Sequence, residues 1–279
     1  MIMKRISPII VPLDGSQASV AALGAARALA SILSCELHVI HVADCDFLED
    51  ELLRLLDVEE KFEHIPHCLK GEVVEAILSL AADIGACMIV MSSHGQTYDT
   101  RDIMGSKTRD LAQRSDLPIM VIRPDMKRLP DAGWKPARLL VPLDGSPLPT
   151  AVVDQVFEMA IRMGLEVYVL HVAVFGRGRP REAGSFTSPR YVDQPHYDWP
   201  AWAEEFTKRF TARRPPTVKL SLFHERGEPV EIALDFAAVK EVDIIALNWH
   251  GRMNKKHAAT VRGILRRSES PVLLMRVAD

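Results

Sequence analysis

Three features of the 279-residue chain predict two tandem α/β domains, each a parallel open sheet with helices on both faces: its length, an internal duplication, and short apolar runs alternating with helix-like segments. Domains usually run about 100 to 200 residues, so the length suits two. The duplication is read from five blocks in one order. IIVPLDGS at 9–16 returns as LLVPLDGS at 139–146, and LHVIHVA at 37–43 as VYVLHVA at 167–173. GEVVE at 71–75 returns as GEPVE at 227–231, His94-Gly95 as His250-Gly251, and PIMVIR at 118–123 as PVLLMR at 271–276. The domains expected are therefore 1–125 and 137–279, joined by a Pro- and Gly-punctuated linker at 126–136. The second copy is 26 residues longer between its second and third blocks, which places an insert near 175–200, read as a long surface loop.

The elements of one copy follow in order. Ile9 to Leu13 is an apolar run ending in Asp-Gly-Ser, the pattern of a buried parallel strand that turns into a helix. Ser16 suits the N-cap of an Ala-rich helix over 17–33; Ser146, followed by Pro147, does the same for 148–163. A second strand is expected at 36–42 and again at 165–172, and a further one at about 61–69. Helix at 72–84, strand at 87–91, helix at 106–114 and strand at 119–123 complete the copy. In such a sheet, ligands bind beyond the carboxyl ends of the strands, where the strand order reverses. Pro12-Leu13-Asp14 and the loop after Met91 should meet there.

Composition excludes several function classes. A hydrophobic share of 48% with 25% charged residues is that of a globular protein. A net charge of -3 supplies no overall attraction to nucleic acid or acidic membranes. Glu75 and Asp83 interrupt the most apolar stretch, 73–91, so no membrane span is expected. The N-terminus lacks a secretory apolar region, and the four cysteines (Cys35, Cys45, Cys68, Cys87) have no C-x-x-C spacing; both point to a cytoplasmic protein with reduced thiols.

The chemistry concentrates in 90–108, VMSSHGQTYDTRDIMGSKT. Ser92, Gly95 and Gly105-Ser106 are spaced so that the last pair opens a helix, whose N-terminal N–H groups and dipole attract phosphate. Gly95 can take a positive φ and let the backbone approach a ligand. Neither a Walker A sequence nor G-x-G-x-x-G is present, which removes the P-loop and Rossmann readings.

This loop resembles the nucleotide loop of the universal stress protein family, G-x2-G-x9-G-[S/T], with Ser92 in the place of the first glycine. The resemblance spans both copies outside the linker and insert. It implies a tandem member of that family, two flavodoxin-like domains of five strands each, and ATP, alone or with magnesium, bound to the first. It further implies that Pro12, Leu13, Asp14 and Val42 flank the adenine and ribose, while Met91, Ser92, Gly95, Gly105, Ser106 and Lys107 hold ribose and phosphates. A serine in the first position makes a positive φ there costlier. By the same resemblance the copies pair through their last strands, 119–123 and 272–276, with further association into a homodimer. The function implied is a stress-response protein acting through protein partners as a nucleotide-dependent regulator, with at most weak ATP hydrolysis. The alternatives are a scaffold that binds no nucleotide, or an enzyme that uses ATP on a second substrate.

The second copy departs from this pattern. Asn248 replaces the first glycine, Gly251 remains, and three deleted residues leave Ala258-Ala259 where Gly-Ser would fall. Asp144 and Val172 persist. The basic run Arg252, Lys255, Lys256, His257 and Arg262 is read as a solvated degenerate loop in preference to a second anion site.

The remaining candidates carry less. His41 and His171 occupy matching strand positions and are expected to pack beside the sheet. His64, His67 and Cys68 have loosely metal-like spacing without a fourth ligand, so no metal is assigned. His94 shapes the loop. Tyr191, Tyr197, Trp199 and Trp202 are read as a small cluster under the insert or a lid.

Overall fold

The computed structural model describes residues 7–43, 64–95, 103–143, 150–173, 212–249 and 259–276. The first copy contributes β1 (Ile9–Pro12), α1 (Gln17–Leu33), β2 (Leu37–Val42), β3 (Ile65–Leu69), α2 (Val73–Asp83), β4 (Met88–Ser92), α3 (Ser106–Arg114) and β5 (Ile119–Ile122). The second contributes β6 (Arg138–Leu143), α4 (Thr150–Met163), β7 (Glu166–Ala173), β8 (Leu220–Arg226), α5 (Pro229–Val239), β9 (Ile244–Trp249), α6 (Ala259–Arg267) and β10 (Val272–Arg276). The insert near 175–200 with its four aromatics, the cap at Ser146-Pro147, Asp144 and the basic segment through Ala258 lie outside the described residues.

The chain divides into two compact units: Met1–Lys135 with Leu247–Asp279, and Pro136–Ala246. In the first, the strand order is β3-β2-β1-β4-β5-β10. The five strands of the first copy are parallel. The sixth comes from the second copy: β10 runs antiparallel to β5, with Leu273 opposite Met120. The last strands of the two repeats therefore share one sheet, as expected. In the second unit the parallel order is β9-β6-β7-β8, with Leu139 opposite both Ile244 and Val167.

Why β1 lies at the centre is visible in its sequence. Ile9, Ile10 and Val11 are completely buried, because helices cover both faces and no polar alternation is needed. Burying each isoleucine contributes about 1.5–3 kcal/mol. Alanines 22, 25, 26, 28 and 30 of α1 are buried in the core, small enough to bring the helix axis close to the strands. Ser16 caps the helix from extended backbone, its hydroxyl accepting from Ser19 N–H at 3.1 Å; Ser34 ends it in the left-handed region at φ 52°.

The chain leaves β1 toward β2 on one side and, later, toward β4 on the other. In sheets of this kind ligands bind where the strand order reverses, here beyond the carboxyl ends of β1 and β4.

Candidate functional site

Asp14 follows β1 and is locked in place by a closed set of short bonds. Its Oδ1 accepts from Ser16 N–H at 3.0 Å and from the Ser16 hydroxyl at 2.6 Å. The Ser19 hydroxyl donates to the Ser16 carbonyl at 2.8 Å and accepts from Asp14 N–H at 3.3 Å. One turn thus fixes the carboxylate and starts α1. Leu13 donates its N–H to Ile40 O at 2.8 Å, and its carbonyl is 2.8 Å from Nδ1 of His41. That bond accounts for His41, which serves the backbone at the end of β1. Pro12 ends β1 opposite Ile40, and Val42 ends β2, half-buried, opposite Leu69.

The other wall is the end of β4. Met91, Ser92, Ser93 and His94 are all buried. Ser92 lies within the strand, and no positive φ is found there, so serine in place of glycine carries no backbone cost. Its carbonyl accepts from the Thr108 hydroxyl at 3.1 Å, and its own hydroxyl accepts weakly from His94 N–H at 3.4 Å. Ser93 joins three segments: its N–H donates to Ile122 O at 2.7 Å, its carbonyl accepts from Gly105 N–H at 2.8 Å, and its hydroxyl meets His94 Nδ1 at 2.9 Å. Gly105 is thereby tied to the strand end.

Gly95 and Gly105 are glycines for different reasons. Gly95 does not use the positive φ open to it. A Cβ there would collide with Oδ2 of the fixed Asp14 carboxylate, so the two walls meet at that contact. Gly105 has φ -59° and ψ 158°, open to any residue, and a Cβ would meet only Ser93 O at 3.6 Å and His94 Cα at 3.7 Å. Folding does not demand glycine at 105. The residue opens α3 without a side chain to cap it, so among the described residues no side-chain cap meets the first-turn N–H groups of α3, and the Ser106 side chain is exposed beside them.

Lys107 is directed elsewhere. Its ammonium donates to Glu72 Oε1 at 2.9 Å, and Glu72 at the same time caps α2 by accepting from Glu75 N–H at 3.0 Å. These two bonds, the cap first, hold the Glu72 carboxyl below its ordinary range. The residues that sequence reasoning missed are therefore Ser16, Ser19, Ser93, Thr108 and Glu72. Only Ser16 had a signal, as an N-cap.

The second copy keeps less of this. Asn248 stands in β9 at the place of Ser92, half-buried, with no hydrogen-bond partner for Oδ1 among the described residues. Ala259 opens α6 where Ser106 opens α3. Val172 is buried in β7. Elsewhere, Nε2 of His67 meets Nδ1 of buried His38 at 2.8 Å, a pairing across strands. Among the described residues no group of three or more His, Cys, Asp or Glu could hold a metal ion. No helix among them is long and apolar enough to cross a membrane.

Known proteins resemble this chain along most of its length. The universal stress protein family model matches residues 47–123 and 136–276. Universal stress protein Mb2028c of Mycobacterium bovis is 24% identical over 196 residues, covering 68% of this chain and 61% of that protein. This chain thus spans about three fifths of that relative's length. Among solved structures, a universal stress protein of Archaeoglobus fulgidus has a TM-score of 0.61 at 18% identity, covering 99% of this chain and 98% of that one. The functionally unknown protein PA1789 of Pseudomonas aeruginosa reaches 0.67 at 14% identity, covering 97% and 92%. Those two likenesses concern the fold. With a family model matched in two segments that cover more than half of its residues, the chain belongs to the universal stress protein family as a tandem member.

Proposed function

We propose that the first copy binds ATP at the crevice between Asp14 and the N-terminus of α3, and that occupancy regulates protein partners. The observation that carries this reading is Gly105. Among the described residues packing leaves room for a side chain there, yet the position has none, and it opens a helix whose first N–H groups meet no side-chain cap among those residues. Backbone amides kept bare at a helix N-terminus suit a phosphate that must come close. Ser106 adds a hydroxyl, and the fixed Asp14 carboxylate suits hydroxyl donors such as those of a ribose. Magnesium, when bound with ATP, would neutralise part of the phosphate charge. The reading is of a binding protein with at most weak ATP hydrolysis.

The test is direct. Purified protein is denatured and the released nucleotide identified, and the native protein is titrated with ATP, with and without magnesium. Gly105→Ala combined with Ser106→Ala is expected to remain folded and to lose the nucleotide. A native protein that neither carries nor binds ATP or AMP overturns the proposal and favours the nucleotide-free scaffold.

A further inference from the structure

Resting on the nucleotide reading of this site, we infer that Glu72 sets its affinity and its preference among nucleotides, by holding Lys107 as an internal counter-ion that a phosphate chain must displace. Lys107 is the second residue of α3, directly after the Ser106 hydroxyl. It belongs to the first turn of the helix, and its charge is taken up by Glu72 at 2.9 Å. Arg114, at the other end of α3, leans on the same carboxylate at 3.8 Å and on Glu75 at 3.5 Å. The carboxylate therefore does two things to an incoming anion. It occupies the cation that would meet it, and it adds a negative charge near the helix start.

The duplication separates this role from capping. Glu228 caps α5 by accepting from Glu231 N–H at 2.9 Å, just as Glu72 caps α2 through Glu75 N–H. An acidic cap is thus common to both copies. At the position of Lys107, however, α6 carries Thr260, which has no charge to hold. Among the described residues, the coupling of cap and cation is found in the copy that also keeps Gly105-Ser106.

Three variants of the full chain test this by calorimetric titration with ATP, ADP and AMP: Glu72→Gln, Lys107→Met and their combination. Glutamine keeps an acceptor for Glu75 N–H, and Glu72→Ser provides a second uncharged cap should glutamine disturb α2. The pair is exposed, so Glu72→Gln is expected to tighten ATP by about two- to fivefold at low salt, with little change for AMP. In the Lys107→Met background that gain should vanish. Unchanged or weakened ATP binding in both Glu72 variants, or a gain that survives without Lys107, overturns the inference while leaving the site in place. Failure of the native protein and every variant to bind any of the three nucleotides overturns the site reading itself.

Discussion

Arg123 Nη1 donates to the carbonyl oxygen of Ser268 at 3.1 Å, and the duplicated position returns the contact, with Arg276 Nη1 donating to the carbonyls of Arg114 at 3.2 Å and Ser115 at 3.4 Å. Each arginine stands at the end of the last strand of one copy, Arg123 just after β5 and Arg276 as the last residue of β10, and reaches the C-terminal end of the last helix of the other. Helix C-termini present unpaired carbonyls and partial negative charge, so a guanidinium there satisfies both. Ser115 and Ser268 each fold their hydroxyls into the following turn, donating to Leu117 O at 3.3 Å and Ser270 O at 2.6 Å. The antiparallel pairing of β5 and β10 is thus closed at both ends by the same bond, made twice.

Replacing Arg123 by methionine should lower stability by about 1–2 kcal/mol, read as a shift in the urea midpoint with unchanged slope. Arg276→Met should cost less, about 0.5–1 kcal/mol, because its side chain is 33% exposed against 16% for Arg123. Asp116, which meets Arg276 at 3.1 Å but is 92% exposed, should tolerate asparagine with no measurable loss. An Asp116→Asn loss as large as that of Arg276→Met would mean that the ion pair, and not the carbonyl contact, closes the strand pair.

Gly95→Ala and Gly105→Ala should separate folding from binding. The first pushes a methyl group into a carboxylate that Ser16 holds on two bonds, so it should cost about 1–3 kcal/mol of stability. Shortening the opposing group in Gly95→Ala with Asp14→Ser should recover part of that loss. Gly105→Ala meets only ordinary contacts and should change the melting temperature little while weakening nucleotide binding. A Gly105→Ala protein that melts as early as Gly95→Ala would show that glycine at 105 serves packing.

How much of this was legible beforehand depended on the distance over which each feature is encoded. Strands and helices were readable because the apolar runs are contiguous, and the duplication gave each one twice; α3 begins and ends at the predicted Ser106 and Arg114. The expected strand at 61–69 is described only from Ile65, beside β2. Backbone freedom is the property of Gly95 that the sequence displays, whereas the carboxylate it makes room for, that of Asp14, is far away in the chain and invisible to a spacing rule. The same holds for Lys107 and Glu72, which approach only once α2 and α3 stand side by side. His67 was grouped with His64 and Cys68 by proximity in sequence, yet its ring partner is His38 on the adjoining strand. Local periodicity encodes elements; pairings between elements appear only after folding.

Gly24 provides a case where helix propensity and packing predict opposite signs. In the middle of a helix, glycine to alanine ordinarily stabilises by about 1 kcal/mol. Here a Cβ would collide with the carbonyl oxygen of Pro130 and approach Asp131 Cα to 3.0 Å, since the linker backbone lies against α1. Backbone atoms cannot swing aside as a side-chain tip can. Gly24→Ala should therefore destabilise, by about 1–3 kcal/mol, and should expose the linker to protease cleavage near Leu129. A stabilised Gly24→Ala protein with an uncut linker would show that this stretch is not held by the helix.

The paired histidines make a prediction about acid. His67 Nε2 and His38 Nδ1 lie 2.8 Å apart with rings nearly coplanar, at 8°, and Glu36 Oε2 is 3.5 Å from the far nitrogen of His38. One proton fits between the two facing nitrogens, so the pair is stable when neutral and opposed to a second charge. Burial first, then the neighbouring His38, lowers the affinity of His67 for a proton below its ordinary value of 6.5. The unfolded chain therefore binds more protons than the folded one below that value, and stability falls as pH drops. It should be fully present above about pH 6.5, decline as pH falls toward the folded-state value, and level off below it. His224, lowered by burial alone in β8, adds a decline of the same sign. Urea midpoints measured from about pH 8 to about pH 5 should fall for the native protein, and less steeply for His67→Gln, whose amide still bonds His38 but cannot gain a charge. Equal slopes for the two proteins would assign the acid sensitivity to His224 or other groups and remove the histidine pair from the account.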